Sequence, residues 1–156
     1  MKVASISELK RELVCKELTE VQDLCIRLAK YKKENKELLN YLLFEADDEA
    51  GYIEKVKTEI KELFDELPRS NLYLVKKSLR KILRITNKQI KYSSAKKTEI
   101  ELRIYFCASI KKSGINMDFS IVLFNLYQQQ IKKINQALAT LPEDLQYDYV
   151  AEIENL

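Results

Sequence analysis

Apolar residues recur along most of the chain at steps of three and four, the spacing of one face of an α-helix. Ile53, Val56, Ile60, Leu63 and Leu67 step in this way. So do Leu72, Val75, Leu79 and Ile82, and later Phe124, Tyr127, Ile131, Ile134, Leu138 and Leu141. Start and stop signals cut this pattern into segments. Ser5 with Glu8, and Thr19 with Gln22, have the capping-box spacing and predict helices near 5–17 and 20–32. Asn35 is the expected cap of a helix near 36–46, and Asp47 or Asp48 of one near 49–67 that stops before Pro68. Ser70 or Asn71 starts the next, near 71–91, and Ser93-Ser94 breaks it. A helix near 95–112 is apolar on more than one face, which predicts the most central position, and Gly114 stands where a glycine cap belongs. Asp118 is the expected cap of a helix near 119–140, and Pro142 fits the first turn of a last one near 142–154.

The reading is therefore all-α: about eight short helices joined by links that force neighbours to run antiparallel. Two packings satisfy it, an array of helical hairpins and a compact helical bundle, with the array slightly preferred. Only 2 Gly and 2 Pro occur, too few for a sandwich or barrel built on tight turns. A length of 156 residues suits a single domain, 1–156, that needs no disulfide or metal for its core. The first residues carry no apolar run of signal-peptide length, and no stretch is long and apolar enough to span a membrane. Cys15, Cys25 and Cys107 are odd in number and fall within helical patterns, so they read as buried free thiols of a cytoplasmic protein.

Catalytic chemistry is narrowed by what is missing. The 0 His exclude Ser-His and Cys-His nucleophile pairs and His-containing zinc sites. Two glycines leave no phosphate-cradling loop. Ser78, Ser109 and Ser113 have lysines near them in sequence but nothing else that marks a Ser-Lys dyad. Glu59-x-x-Glu62, with Asp65 and Glu66 a turn on, resembles half of the magnesium site in all-α nucleotide pyrophosphohydrolases of the MazG type. That resemblance implies a second acidic pair on a following helix, and Leu67 to Thr98 contains no acid. The expectation is a protein that is not an enzyme and carries no cofactor, with a His-free metal-dependent hydrolase as the remote alternative.

Charge distribution carries the functional signal. The net charge is only +3. Yet Pro68 to Thr98 holds ten basic residues: Arg69, Lys76, Lys77, Arg80, Lys81, Arg84, Lys88, Lys91, Lys96 and Lys97. On a helical wheel Lys77, Arg80, Lys81, Arg84, Lys88 and Lys91 share a sector of about 100°, opposite Leu72, Val75, Leu79, Ile82 and Ile90. Three things could offset their mutual repulsion. One is internal pairing with the nine acids between Glu45 and Glu66 or the five between Glu143 and Glu154. The second is an acidic protein partner, which makes the chain a protein-interaction or scaffold module. The third is nucleic acid, although the pI is about 8.6 and only Tyr73 and Tyr92 bracket the stripe with aromatics. Membrane-surface binding is disfavoured because the apolar face of this helix is committed to the core. Gln128-Gln129-Gln130 reads as a solvated turn, and the seam of that helix is too short to argue a coiled coil, so the expected state is a monomer or weak homodimer.

Overall fold

In a computed structural model of the protein, residues 2–156 are described. Among them the chain forms eight α-helices, one short 3-10 helix and no strand. The helices are α1 (Ile6–Val14), α2 (Leu18–Tyr31), α3 (Lys33–Phe44), α4 (Glu49–Asp65), α5 (Leu72–Ser93), α6 (Lys96–Lys112), α7 (Ile121–Leu138) and α8 (Glu143–Glu154), with the 3-10 turn Met117–Phe119 before α7. They fall into two compact units, one ending at Phe44 and the other Glu45–Leu156.

In the first unit α2 packs against α3. Ser5 and Glu8 close the expected capping box at the start of α1. The next start differs from expectation. α2 begins at Leu18, two residues earlier than a Thr19 cap allows, because the Glu20 carboxylate accepts the Glu17 N–H at 3.0 Å. Asn35 is likewise no cap. It lies inside α3, and its amide donates to the Leu28 carbonyl at 2.8 Å, tying the two helices together. No residue of α1 or α2 is buried. Leu18, Leu28 and Phe44 are among the apolar side chains left exposed. Cys15 and Cys25 are exposed too, so of the three thiols only Cys107 is the buried residue expected of all three.

The second unit is a bundle built on α6, which packs against α4, α5 and α7. Ile100, Leu102, Phe106 and Cys107 of α6 are fully inaccessible. Burial of each large apolar side chain contributes roughly 1.5–3 kcal/mol. The centrality read from the sequence follows directly: a helix apolar on several faces must be covered on several faces. Asp48 caps α4 by accepting the Gly51 N–H at 3.0 Å. A Cβ on Gly51 would come within 2.1 Å of that carboxylate, so the cap and the glycine require each other. Asn71 caps α5, accepting from Tyr73 N–H at 2.8 Å. Gly114, at φ +72, turns the chain out of α6 as a glycine cap does.

The start of α7 is set by Ser120 and not by Asp118, which sits within the 3-10 turn. The buried face of α7 is also rotated from the expected seam. Leu123, Leu126, Tyr127, Gln130, Ile134 and Ala137 face the core, whereas Phe124 is 46% exposed. Gln130 explains the rotation. Its amide oxygen accepts from the guanidinium of Arg103, on α6, at 2.7 Å, and the same group donates to Asn87 Oδ1 on α5 at 2.9 Å. A polar residue read as solvated is thus drawn inward by a buried cation. α8 is held by Tyr149, which is buried, and by a hydrogen bond from the Tyr127 hydroxyl to the Leu156 carbonyl at 2.5 Å.

Candidate interaction surface

The six basic residues singled out on α5 stand where the helical period puts them. Val75, Leu79, Ile82, Thr86 and Ile90 are the buried face. At 100° per residue the centre of the basic sector lies opposite it. Lys77, Arg80, Lys81, Arg84 and Lys91 are exposed, and Lys88 is half-buried and already partnered. From Lys77 to Lys91 the stripe runs about 21 Å along the helix at 1.5 Å per residue.

No carboxylate among the described residues forms an ion pair with Lys77, Arg80, Lys81, Arg84 or Lys91. Two acids of α4 are turned to other bases: Glu54 pairs with Lys57 at 2.8 Å and Asp65 with Lys61 at 2.6 Å. Glu45, just before α4, takes Lys55 at 2.6 Å. Internal neutralisation therefore does not reach these five cations. Their hollows are bordered by α5 alone, from Tyr73 to Arg84, so the stripe has no opposing wall and is a surface and not a pocket. Tyr73, 70% exposed, shares the sector of the stripe at its N-terminal end. Tyr92 at the other end is buried, so the stripe has one accessible aromatic and not two.

Next to that end lies a feature the sequence reading did not find. The α4–α5 link and the α6–α7 link meet around a cleft of about 580 Å³. Phe64, Leu67, Pro68, Leu72, Ile115 and Phe119 give it an apolar wall, and Arg69 is its one charged residue. Leu72 is 42% exposed and Phe119 79% exposed, so the cleft opens to solvent. Its two halves are some forty residues apart in sequence, and no periodicity joins them. The available signal was a bulky apolar residue, Ile115, in the segment that Gly114 and the Asp118 cap mark as a link.

Two of the serines considered for chemistry are engaged by backbone carbonyls. Ser109 donates to the Tyr105 carbonyl at 2.8 Å and Ser113 to that of Ile110 at 2.6 Å, each within its own helix. Glu59 and Glu62 are exposed on α4. No group of three or more His, Cys, Asp or Glu side chains among the described residues is arranged to hold a metal ion. Burial pushes the Cys107 thiol up to about 12, against the smaller opposing pull of Arg103 and Lys111, so at neutral pH it is a thiol and not a nucleophilic thiolate. No helix among the described residues is long and apolar enough to cross a membrane.

Compared with protein-family models, with curated proteins and with solved structures, the chain matches none.

Proposed function

We propose that the protein is a non-enzymatic, cytoplasmic interaction module that holds an acidic segment of a partner protein along the basic face of α5. The reading rests on one observation: among the described residues no carboxylate forms an ion pair with five cations of that face. Like charges at i, i+3 and i, i+4, as in Lys77 with Lys81 and Arg80 with Arg84, cost a few tenths of a kcal/mol each. A complementary acidic surface removes that repulsion, speeds encounter and fixes register. The isolated helix face has no cleft for a small substrate, which suits an extended partner better than a reaction.

Nucleic acid is the second reading, favoured by exposed Tyr73 in the same sector as the cations, where a base could stack. A single aromatic and a pI of about 8.6 make it the weaker one.

The test is a titration of the full chain with a labelled oligoglutamate peptide and, in parallel, a DNA duplex and a single-stranded RNA, at about 50 mM and about 200 mM salt. The acidic peptide is expected to bind at low salt. The double variant Arg80→Glu/Arg84→Glu is expected to melt as the parent does and to bind at least about tenfold more weakly, a loss of about 1.4 kcal/mol. A variant that melts well below the parent makes the stripe a structural element and sinks the reading. Tighter binding to duplex or RNA than to peptide, with a steep salt dependence, hands the surface to nucleic acid.

A further inference from the structure

We infer that the apolar cleft between the α4–α5 and α6–α7 links is the second half of the same surface, receiving one large apolar side chain from the acidic partner. This deepens the proposed function and rests on it. Three observations carry it.

The first is continuity. Leu72 and Val75 line the cleft, while Tyr73, Lys76 and Lys77, their neighbours in the first turns of α5, border the stripe. On the helical wheel Leu72 lies about 130° from the centre of the stripe, on the side of Lys76. A chain lying on the stripe therefore reaches the cleft by passing Lys76 and turning round the N-terminal end of α5. At the outer radius of a helix, about 5–6 Å, that angle is an arc of about 11–14 Å, which an extended tail of about four or five residues at about 3.3 Å each covers.

The second is the chemistry of the lining. A cleft of about 580 Å³ falls within the usual range of about 300–1,000 Å³ for binding pockets. Such sites orient a small molecule with several converging polar or titratable groups. This one offers Arg69 as its only charged residue; its other polar side chains are Ser70, Ser113, which donates to the Ile110 carbonyl, and Asn116, whose amide oxygen accepts from the Asp118 N–H. It suits an apolar anchor whose backbone and charges are held elsewhere.

The third is charge. Arg69 at the cleft and Lys76 beside it extend the positive field of the stripe to its mouth, and no acid lies between Leu67 and Thr98. The occupant is accordingly an acidic segment of the partner protein with an apolar residue, Phe or Leu, a few residues beyond one end. This is the anchor-and-rim arrangement in which one buried aromatic sets residence time and the charges set approach.

The experiment uses designed peptides of about 16 residues, long enough to span the stripe as a helix. Each carries Glu along one face and a five-residue Gly-Ser tail. Three versions end the tail with Phe at the N-terminus, Phe at the C-terminus, or Ala. Binding to the full chain is read by fluorescence anisotropy. One Phe-tailed peptide is expected to bind about tenfold more tightly than the Ala-tailed one, as burial of an aromatic side chain allows. Phe119→Ser, at a largely exposed position, is expected to erase that difference and leave Ala-tailed binding unchanged. The double variant Arg80→Glu/Arg84→Glu is expected to weaken all three peptides. If the three peptides bind equally and the double variant still weakens them, the stripe stands and the cleft inference is overturned. If none binds at low salt, the proposed function itself fails and takes the inference with it. If the Phe preference survives Phe119→Ser and Leu72→Ser alike, the anchor sits elsewhere and the inference is overturned. Concentration-dependent dimerisation of the unliganded chain that vanishes in both cleft variants assigns the cleft to a second copy and overturns it as well.

Discussion

Arg103→Ala is expected to destabilise the protein by about 3–5 kcal/mol, the range for removing one partner of a buried charged network. Arg103 is 5% exposed. Its guanidinium meets Glu99 Oε1 at 3.0 Å, Asn87 Oδ1 at 2.9 Å and Gln130 Oε1 at 2.7 Å. Three acceptors on three helices therefore depend on one donor group. Alanine leaves the Gln130 amide oxygen, 2% exposed, without a donor, and an unsatisfied buried polar atom costs about 1–3 kcal/mol, whereas Asn87 and Glu99 are half-buried and Glu99 keeps Lys96 at 3.0 Å. Against a total stability of about 5–15 kcal/mol for a domain, this is a large fraction. Arg103→Lys is expected to fall between, because an ammonium keeps the charge and loses the planar fork. Urea unfolding followed by circular dichroism gives both values. A loss below about 1 kcal/mol for alanine would mean that water replaces the guanidinium and that the network does not hold α5, α6 and α7 together.

The same variant should alter acid sensitivity. Burial pushes the Glu99 carboxyl up, but hydrogen bonds from Lys96 and Arg103 and their charges outweigh it and hold it below the ordinary 4.5. A carboxyl depressed in the folded state stabilises above its unfolded pKa, and the stabilisation is lost as pH falls through the folded value. Removing Arg103 removes part of that depression. The stability difference between parent and variant is thus expected to be full at neutral pH and to narrow as pH falls below 4.5.

Phe106→Ala is expected to cost about 3–5 kcal/mol, the range for deleting a buried aromatic ring. Phe106 is fully inaccessible on α6 and meets the ring of Phe64 edge-on, at 5.8 Å between centroids and 62° between planes. Phe64 also lines the cleft. The variant should therefore do two things: lower the urea midpoint strongly and, in conditions where it remains folded, weaken the preference for a Phe-tailed peptide while leaving the charge-dependent binding intact. Phe106→Leu, which keeps most of the volume, should recover most of both. Equal stability of parent and alanine variant would show that the core closes over the missing ring.

How far these features could be read beforehand depends on whether their cause is local. Asp48, Asn71 and the Ser5–Glu8 box cap their helices as the sequence indicates, because a cap is a contact between residues two or three apart. The stripe on α5 was legible for the same reason: its face follows from the helical period once Val75, Leu79 and Ile82 are inside. The buried face of α7 was not, because it is turned by Gln130 meeting Arg103, 27 positions earlier. Nor was the start of α2, where Glu20 competes with Thr19 for the role of organising the first turn. The cleft escaped because it belongs to two links that only the folded bundle brings together. The lack of burial in α1 and α2 escaped for a different reason. Ile6, Leu9 and Leu13 have the period of a core-facing stripe, and a period reports that a face exists, not that something covers it.

That uncovered stretch has a kinetic consequence. Backbone amides exchange with solvent only as fast as the structure opens, and opening is governed by what is buried with them. α6, with inaccessible side chains on several sides, should hold its deuterium-free amides until the second unit unfolds as a whole. In α1 and α2 no buried side chain opposes fraying, so their amides should exchange early, by repeated local melting of one helix at a time. Hydrogen exchange followed by mass spectrometry would then display one chain keeping two clocks, a fast one in α1 and α2 and a slow one set by α6.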